Sequence, residues 1–171
     1  QYENVLKQCA TSTMAQRAMQ KLLLDGKLPG AADLKGQATM LSHLNALASQ
    51  PLAAGIDRGA LVSEAVCEIE TPERIAQKAK GTCGATTAQI VLVRQNPAEY
   101  LRLVAGLASP AGTAQMVGGD SLHRAPDWQA AIAWRYRKRS SGHGVLEPVR
   151  HVAGMRLSDL KEIDAQKEKI Q

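Results

Sequence analysis

The scarcity of aromatic side chains is the feature that most restricts how this chain can fold. Its 171 residues include two Trp, three Tyr and no Phe, although 44% of the residues are hydrophobic. The core must therefore be built from Leu, Val, Ile, Ala and Met. These side chains suit closely packed helices better than a β-sandwich, because strands favour aromatic and β-branched residues. The length fits one domain, and we expect it to be rich in helices.

Helical periodicity dominates the first 108 residues. Apolar residues recur at helical spacing, and several of the runs end at Gly or Pro. Pro72 and Pro97 each take the first position of a helix, where proline is favoured. The predicted helices cover 2–24, 33–49, a segment from 57 or 58 to 67, 72–80, 83–93, and a segment from 97 to 107 or 108. Residues 1–70 therefore form a helical N-terminal subregion.

The pattern changes after Pro110. Residues 113–123 predict a β-hairpin with its turn at Gly118-Gly119. Residues 127–138 are ambiguous and fit an amphipathic helix, 143–152 fit a strand interrupted at Pro148, and 157–170 fit a charged helix. The predicted fold class is therefore α+β, helix-rich, with a small antiparallel β element in the C-terminal half.

The stretch from Gln77 to Thr87 combines the features of a reactive thiol. Cys83 stands at the predicted start of an apolar helix, where free backbone N–H groups favour the thiolate. Gly81 and Gly84 leave room for a substrate backbone to approach. The side-chain amide of Gln77 lies six residues before the cysteine. Folded back beside Cys83, this amide and the Cys83 backbone N–H form an oxyanion hole.

Gln77, Gly81 and Cys83 match a known motif over about eleven residues of this chain. They resemble the papain-like cysteine peptidase superfamily, in which a Gln precedes the nucleophilic Cys by six residues and a Gly precedes it by two. Cys83-Gly84 is also similar to the double-glycine leader peptidases of bacterial secretion systems. The resemblance implies a papain-like domain that acts on a protein or peptide substrate. It implies that Cys83 is the nucleophile and Gln77 the oxyanion donor.

A cysteine nucleophile needs a base, normally histidine, and a third group that orients it. In the superfamily that the chain resembles, the base follows the Cys at the start of a strand, and an Asn or Asp follows the base. His143 fits this order best because it opens a predicted strand, and His123 and His151 are the alternatives. Asp159 is the predicted orienting acid, with Glu147 as its alternative.

The sequence predicts no catalytic or ligand-binding role for the remaining histidine and cysteines. Cys9 and Cys67 lie in apolar helical stripes and are expected to be buried and inert. His43 lies beside such a stripe and is expected to be a surface or packing residue. The sequence has no Cys-x-x-Cys pair, no zinc-ligand spacing and no nucleotide-binding motif, so neither a metal nor a cofactor is predicted.

Positive charge is concentrated towards the C-terminus. Lys and Arg number 21 against 16 Asp and Glu, a net charge of +5, and residues 124–156 hold seven basic residues against two acidic ones. A basic segment of this kind attracts an acidic partner or nucleic acid. The alternative function is therefore a non-catalytic helical interaction module. Its contact patch would comprise Arg135, Arg137, Lys138 and Arg139, interleaved with Trp134 and Tyr136.

The sequence thus predicts a cysteine peptidase or a related thiol acyl-transfer enzyme. Residues 1–171 are expected to form one domain, of which 71–171 are the candidate catalytic subregion. A first residue other than Met indicates part of a longer protein, such as a bacterial toxin or effector that is secreted or delivered into a target cell. No signal peptide is visible, and no run approaches the roughly 20 apolar residues of a membrane span.

Overall fold

Among the residues that this computed structural model describes, six α-helices and a β-hairpin form the larger of two compact units. The structure describes residues 1–76 and 83–124, together with the strands 134–138 and 144–148; in 83–85 and in these two strands it describes the backbone alone. The units comprise Gln1–Arg124 and Ala125–Gln171, and each is described by itself. The prediction of one domain over 1–171 stays a prediction.

The larger unit is helical up to residue 108 and then forms the hairpin. Its elements are α1 (Tyr2–Gln8), α2 (Thr13–Leu24), α3 (Met40–Ser49), α4 (Arg58–Glu70), a 3₁₀ turn (Pro72–Arg74), α5 (Cys83–Gln95), α6 (Pro97–Ala108), β1 (Thr113–Gln115) and β2 (Ser121–His123). The two strands are antiparallel, with Ala114 opposite Leu122. The predicted α+β class, helix-rich with a small antiparallel element in the C-terminal half, is confirmed.

Aliphatic side chains fill the core of this unit, as the composition predicts. The largest fully buried side chains are Met19, Leu22, Met40, Leu44, Leu47, Leu101, Val5, Val62, Val66 and Cys9. Helix α2 packs on α4, α3 packs on α6 and α4, and α5 and β1 pack on α6. Among the described residues, Tyr100 is the one buried aromatic side chain of this core. Close helix packing therefore supplies the apolar burial that aromatic residues would otherwise provide.

The first predicted helix, 2–24, is in fact two helices. Helix α1 ends at Gln8, and α2 begins at Thr13. Between them, the Ser12 hydroxyl accepts a hydrogen bond from the N–H of Ala15, which caps α2. Serine side chains compete with the helix for backbone N–H groups, so a serine within an apolar stripe starts a new helix here.

The second predicted helix, 33–49, begins seven residues late, at Met40. The Asp33 carboxylate accepts hydrogen bonds from the backbone N–H groups of Lys35, Gln37 and Ala38. Residues 33–38 therefore form a loop around this side chain instead of a helical turn. Thr39 then caps α3 through its side-chain oxygen.

Two further predictions need correction. The predicted helix over 72–80 begins instead as the 3₁₀ turn Pro72–Arg74, after which Ile75 is extended; residues 77–80 lie outside the described part of the chain. Residues 134–138 form a strand, so the amphipathic helix that 127–138 would fit does not extend through them; residues 125–133 lie outside the described part of the chain. The segment around Trp134 is short and contains aromatic residues, which are common in strands. Its apolar pattern therefore fits a strand as well as a helix, and periodicity alone did not distinguish the two.

The predicted helices near 58, 83 and 97 and the hairpin over 113–123 are confirmed. Helix α5 begins at Cys83, and α6 begins at Pro97 behind an Asn96 cap. The hairpin has its turn between β1 and β2 as expected. Helix α4 begins at Arg58 and continues three residues beyond the predicted end at Cys67. The starts of α4 and α6 carry a strong local signal, because a capping residue, Asp57 or Asn96, directly precedes the first helical residue.

The second unit contains an antiparallel hairpin of β3 (Trp134–Lys138) and β4 (Gly144–Pro148). Its register pairs Arg135 with Glu147 and Tyr136 with Leu146. Strand β4 lies within the predicted strand 143–152 and ends at Pro148, as expected from the missing N–H of proline. The predicted helix 157–170 lies outside the described residues.

Gly106 is the point at which the β-hairpin approaches α6 most closely. A Cβ at this position would lie 2.7 Å from both Ala114 Cβ and Thr113 O. We therefore expect Gly106→Ala to lower the free energy of unfolding by about 1–2 kcal/mol, although Ala is the better helix former. Urea denaturation measures this loss. Gly118→Ala is the control, because a Cβ there meets no atom within 4 Å; equal stability of the two variants would contradict the predicted contact.

Candidate functional site

Cys83 is the first residue of α5, a helix of 13 residues. The first backbone N–H groups of a helix have no partner within it, and the helix dipole makes this end positive. Both effects stabilise a thiolate at the first residue. The predicted partners Gln77 and Gly81 lie outside the described residues. The structure therefore establishes the helix start at Cys83, and the oxyanion role of Gln77 stays a prediction.

Most of the other predicted site residues also lie beyond the described part of the chain. His143, His151 and Asp159 are among them, whereas Glu147 lies in β4 with only its backbone described. His123 is described: it is exposed on β2, opposite Thr113. Within the described residues its side chain forms neither a hydrogen bond nor an ion pair. The choice among the three candidate bases thus stays a prediction.

The other two cysteines are buried, as predicted. Burial is the main reason that the pKa of each thiol is raised. A raised pKa lowers the thiolate fraction at neutral pH, and the surrounding protein blocks access to the sulfur. Cys9 and Cys67 therefore have the environment of unreactive core thiols, in contrast to the helix-start position of Cys83.

The larger unit contains a buried carboxylate, Asp33, that the sequence analysis did not identify as a site. The side chain of Asp33 is fully buried, and its Oδ2 lies 2.7 Å from His43 Nε2. Burial raises the pKa of Asp33, but hydrogen bonds from His43 and from three backbone N–H groups outweigh it and lower the pKa from 3.8 to about 2. His43 is thus an oriented partner of an ionised carboxylate, which goes beyond the predicted packing role.

A second buried carboxylate stands next to this pair. Glu99 forms a two-pronged ion pair with Arg102, at 2.6 and 2.8 Å, and its Oε2 also accepts the N–H of Leu34 at 3.4 Å. The hydrogen bond from Arg102 is the main reason that the pKa of Glu99 is lowered. Asn96 completes the connection by donating its amide N–H to the carbonyl of Ala32. These contacts fasten the Asp33 loop to the start of α6.

The Asp33–His43 pair and Cys83 lie at opposite ends of α5. Asn96, which holds the Asp33 loop, directly follows the last residue of α5. Cys83 and Gln95 are twelve residues apart in one helix, which corresponds to about 18 Å at 1.5 Å per residue. His43 therefore does not provide the base for the Cys83 thiol. Its oriented imidazole belongs to a separate cluster.

One local signal for the Asp33 loop was available in the sequence. Asp33 is followed three residues later by Gly36, which adopts a positive φ of 65°. Asp at the first position and Gly at the fourth are typical of a turn. The apolar stripe of the following residues nevertheless favoured an early helix start. The pairing of Asp33 with His43 depends on how α3 packs, which no short pattern encodes.

The hairpin of the second unit determines which positions of the basic segment share a face of the sheet. Successive positions of a strand alternate between the two faces of a sheet. In β3, positions 134, 136 and 138 therefore share one face and positions 135 and 137 the other. The two aromatic positions, Trp134 and Tyr136, are thus separated from the two arginine positions. The predicted contact patch, in which arginine and aromatic residues interleave, spans two faces of the strand.

No family model, curated protein or solved structure shows significant similarity to this chain. Within the described ranges, no group of three or more His, Cys, Asp or Glu side chains is arranged to hold a metal ion. The longest described helices have 13 residues, and none of the helices searched is long and apolar enough to cross a membrane.

The ionised state of Asp33 makes the stability of the protein depend on pH. Because its pKa is lower in the folded chain than the ordinary 3.8, its contribution is present above about pH 4 and disappears as the pH falls towards 2. We expect Asp33→Asn to cost about 1–3 kcal/mol at pH 7. The difference from the unchanged protein should shrink between pH 4 and pH 2.5.

Urea denaturation of both proteins at several pH values measures this difference. Glu3→Gln is the control, since Glu3 is exposed on α1 and should change stability little at any of these pH values. A difference between Asp33→Asn and the unchanged protein that stays constant from pH 7 to 2.5 would show that folding does not lower the pKa of Asp33.

Proposed function

We propose that the chain is a papain-like cysteine peptidase or a related thiol acyl-transfer enzyme, with Cys83 as its nucleophile. The observation that carries the proposal is the position of Cys83 at the first residue of α5. This position supplies free N–H groups and the positive end of the helix dipole, both of which lower the pKa of a thiol. The motif residues Gln77 and Gly81 support the proposal at sequence level.

The proposed reaction begins with attack of the Cys83 thiolate on an amide carbonyl carbon. The resulting oxyanion accepts hydrogen bonds from the Cys83 N–H and the Gln77 side chain. His143, protonated, donates its proton to the leaving amine as the carbon–nitrogen bond breaks, with Asp159 orienting the imidazole. Water then attacks the thioester, giving its proton to His143, and the acid product and the thiolate are released. An amine in place of water completes an acyl transfer.

The three cysteines of the chain allow a direct test of the nucleophile. We expect iodoacetamide at pH 6 to alkylate Cys83 at least tenfold faster than Cys9 and Cys67, because only the thiolate reacts and burial suppresses it in the other two. Peptide mass spectrometry of a time course reports each site separately. Equal, slow labelling at all three cysteines would overturn the assignment of Cys83.

Activity variants then test the reaction. Cleavage of a peptide library should be lost in Cys83→Ala and reduced at least a hundredfold in Gln77→Ala, which removes one oxyanion donor. Cys67→Ala serves as the matched thiol control and should retain activity wherever it folds. Hydroxylamine trapping of a thioester distinguishes acyl transfer through Cys83 from cleavage by another route.

The proposal extends to a protease domain of a larger bacterial toxin or effector. Self-cleavage of the longer protein that is abolished by Cys83→Ala would support this part of the proposal.

The second candidate function is an interaction module that binds an acidic partner or nucleic acid through residues 124–156. The observation that favours it is the concentration of seven basic residues in this segment. Two of them, Arg135 and Arg137, share a face of β3. A contact made by these arginines would be electrostatic and would not include the aromatic positions of the same strand.

Salt dependence distinguishes this candidate from the peptidase. We expect the affinity for single-stranded DNA to fall steeply with salt, and the slope of log K against log salt to decrease by about 0.7 for each arginine that is lost. Arg135→Gln and Arg137→Gln test the face, and Arg17→Gln on α2 is the control. Absence of binding at low salt would exclude the nucleic-acid form, and binding unaffected by Cys83→Ala would separate it from catalysis.

A further inference from the structure

The larger unit contains a cavity of about 690 Å³ that is unrelated to Cys83. It is lined by the ends of α2, α4 and α5 and by the connection from Gly26 to Ala31. Val93 and Arg94, which line it, are ten and eleven residues beyond Cys83 on α5, a distance of about 15 Å or more. The volume lies in the range typical of small-molecule sites, about 300–1,000 Å³.

The inner wall of the cavity is apolar. Leu22, Ile69 and Val93 contribute to it and are almost fully buried in the core. Pro29 and Pro72 form further parts of the wall. Proline has a fixed φ and no N–H group, so these parts are stiff and offer no hydrogen-bond donor. The wall therefore suits the apolar body of a ligand and is formed in advance of binding.

Three charged residues line the cavity, and two of them already have partners. Glu70 accepts hydrogen bonds from Lys21 and Thr71, and Arg94 pairs with Glu73. Lys27 differs, because its ammonium makes no hydrogen bond among the described residues and its nearest carboxylate oxygen, on Asp25, is 3.8 Å away. Lys27 is thus the lining cation that has no hydrogen-bonded counterion.

Two backbone N–H groups of the cavity lining are further donors without an acceptor within the described ranges. Gly30 and Ala31 both line the cavity, and neither N–H has an acceptor in the part of the chain that the structure describes. Gly30 adopts a positive φ of 82° and lies close to Met40. A Cβ added to Gly30 would lie 2.8 Å from the Met40 Cβ. Consecutive N–H groups beside such a residue are typical of anion-binding backbone.

We propose that this cavity binds a small organic acid with an apolar body. The carboxylate is bound by the Lys27 ammonium together with the N–H groups of Gly30 and Ala31. The apolar body occupies the wall formed by Leu22, Ile69 and Val93. Lys27 has no hydrogen-bonded counterion, and the two N–H groups have no acceptor among the described residues. Such donors beside an apolar inner wall favour an anion-headed ligand over a neutral or cationic one, because the anion satisfies the donors while its apolar body is removed from water.

Straight-chain acids from butanoate to decanoate are suitable probes. Isothermal titration calorimetry on the full chain should show binding that strengthens with chain length, whereas the matching alkylammonium ions should not bind. Hexan-1-ol should bind at least tenfold more weakly than hexanoate. Lys27→Gln should weaken hexanoate binding about tenfold and leave hexanol unchanged, because it removes one charge-assisted hydrogen bond.

Two further variants make the result specific to this cavity. Lys35→Gln removes a nearby exposed lysine that does not line the cavity, and should change hexanoate affinity less than twofold. Ala31→Trp places a large ring at the exposed mouth and should abolish binding without altering the core. The inference is wrong if no acid of the series binds, if alkylammonium ions bind equally well, or if Ala31→Trp binds hexanoate as the unchanged chain does. Labelling of Cys83 is independent of all these outcomes.

Discussion

The buried carboxylate of Asp33 is the interaction on which much of the larger unit depends. It binds three N–H groups of its own loop and the imidazole of α3. The residues on either side are tied to α6 through Glu99 and Asn96. A carboxylate removed from water is stable only when its lone pairs are all occupied, so the loop conformation, the start of α3 and the start of α6 are coupled. Gly30 and Ala31, which line the cavity, immediately precede this coupled region.

The accuracy of sequence-based prediction along this chain follows the range of the interactions. Helix starts with a local signal, such as Asn96 with Pro97, are found correctly because the capping atoms lie within a few residues of each other. The break at Ser12 and the late start at Met40 are missed, because one side chain there competes successfully for backbone groups within an apolar stripe. Leu34 and Glu99 are 65 positions apart, so no local sequence pattern predicts their hydrogen bond.

The candidate thiol site divides in the same way. The helix start at Cys83 is a local property, predictable from small residues before an apolar run, and the structure contains it. A catalytic base is a non-local property, because any of several histidines can be folded against the thiol. Chain order ranks His143 first and leaves out His43, which precedes Cys83 in the sequence. The structure removes His43 from consideration by placing its carboxylate partner at the far end of α5.

The two candidate functions make different demands on the second unit. With His143 as its base, the proposed peptidase would use one imidazole of this segment, and the surrounding charge would be of secondary importance. An interaction module needs the basic residues to act together, and the alternation of β3 limits how they can do so. Arg135 is opposite Glu147 in the register, so one of the two arginine positions on that face has a carboxylate residue as its cross-strand neighbour. In the same register Arg137 is opposite Val145, so its cross-strand neighbour carries no charge. The register therefore makes Arg137 the stronger of the two positions for an electrostatic contact, and it makes a broad polyanion surface on this strand less favourable than the charge count alone indicates.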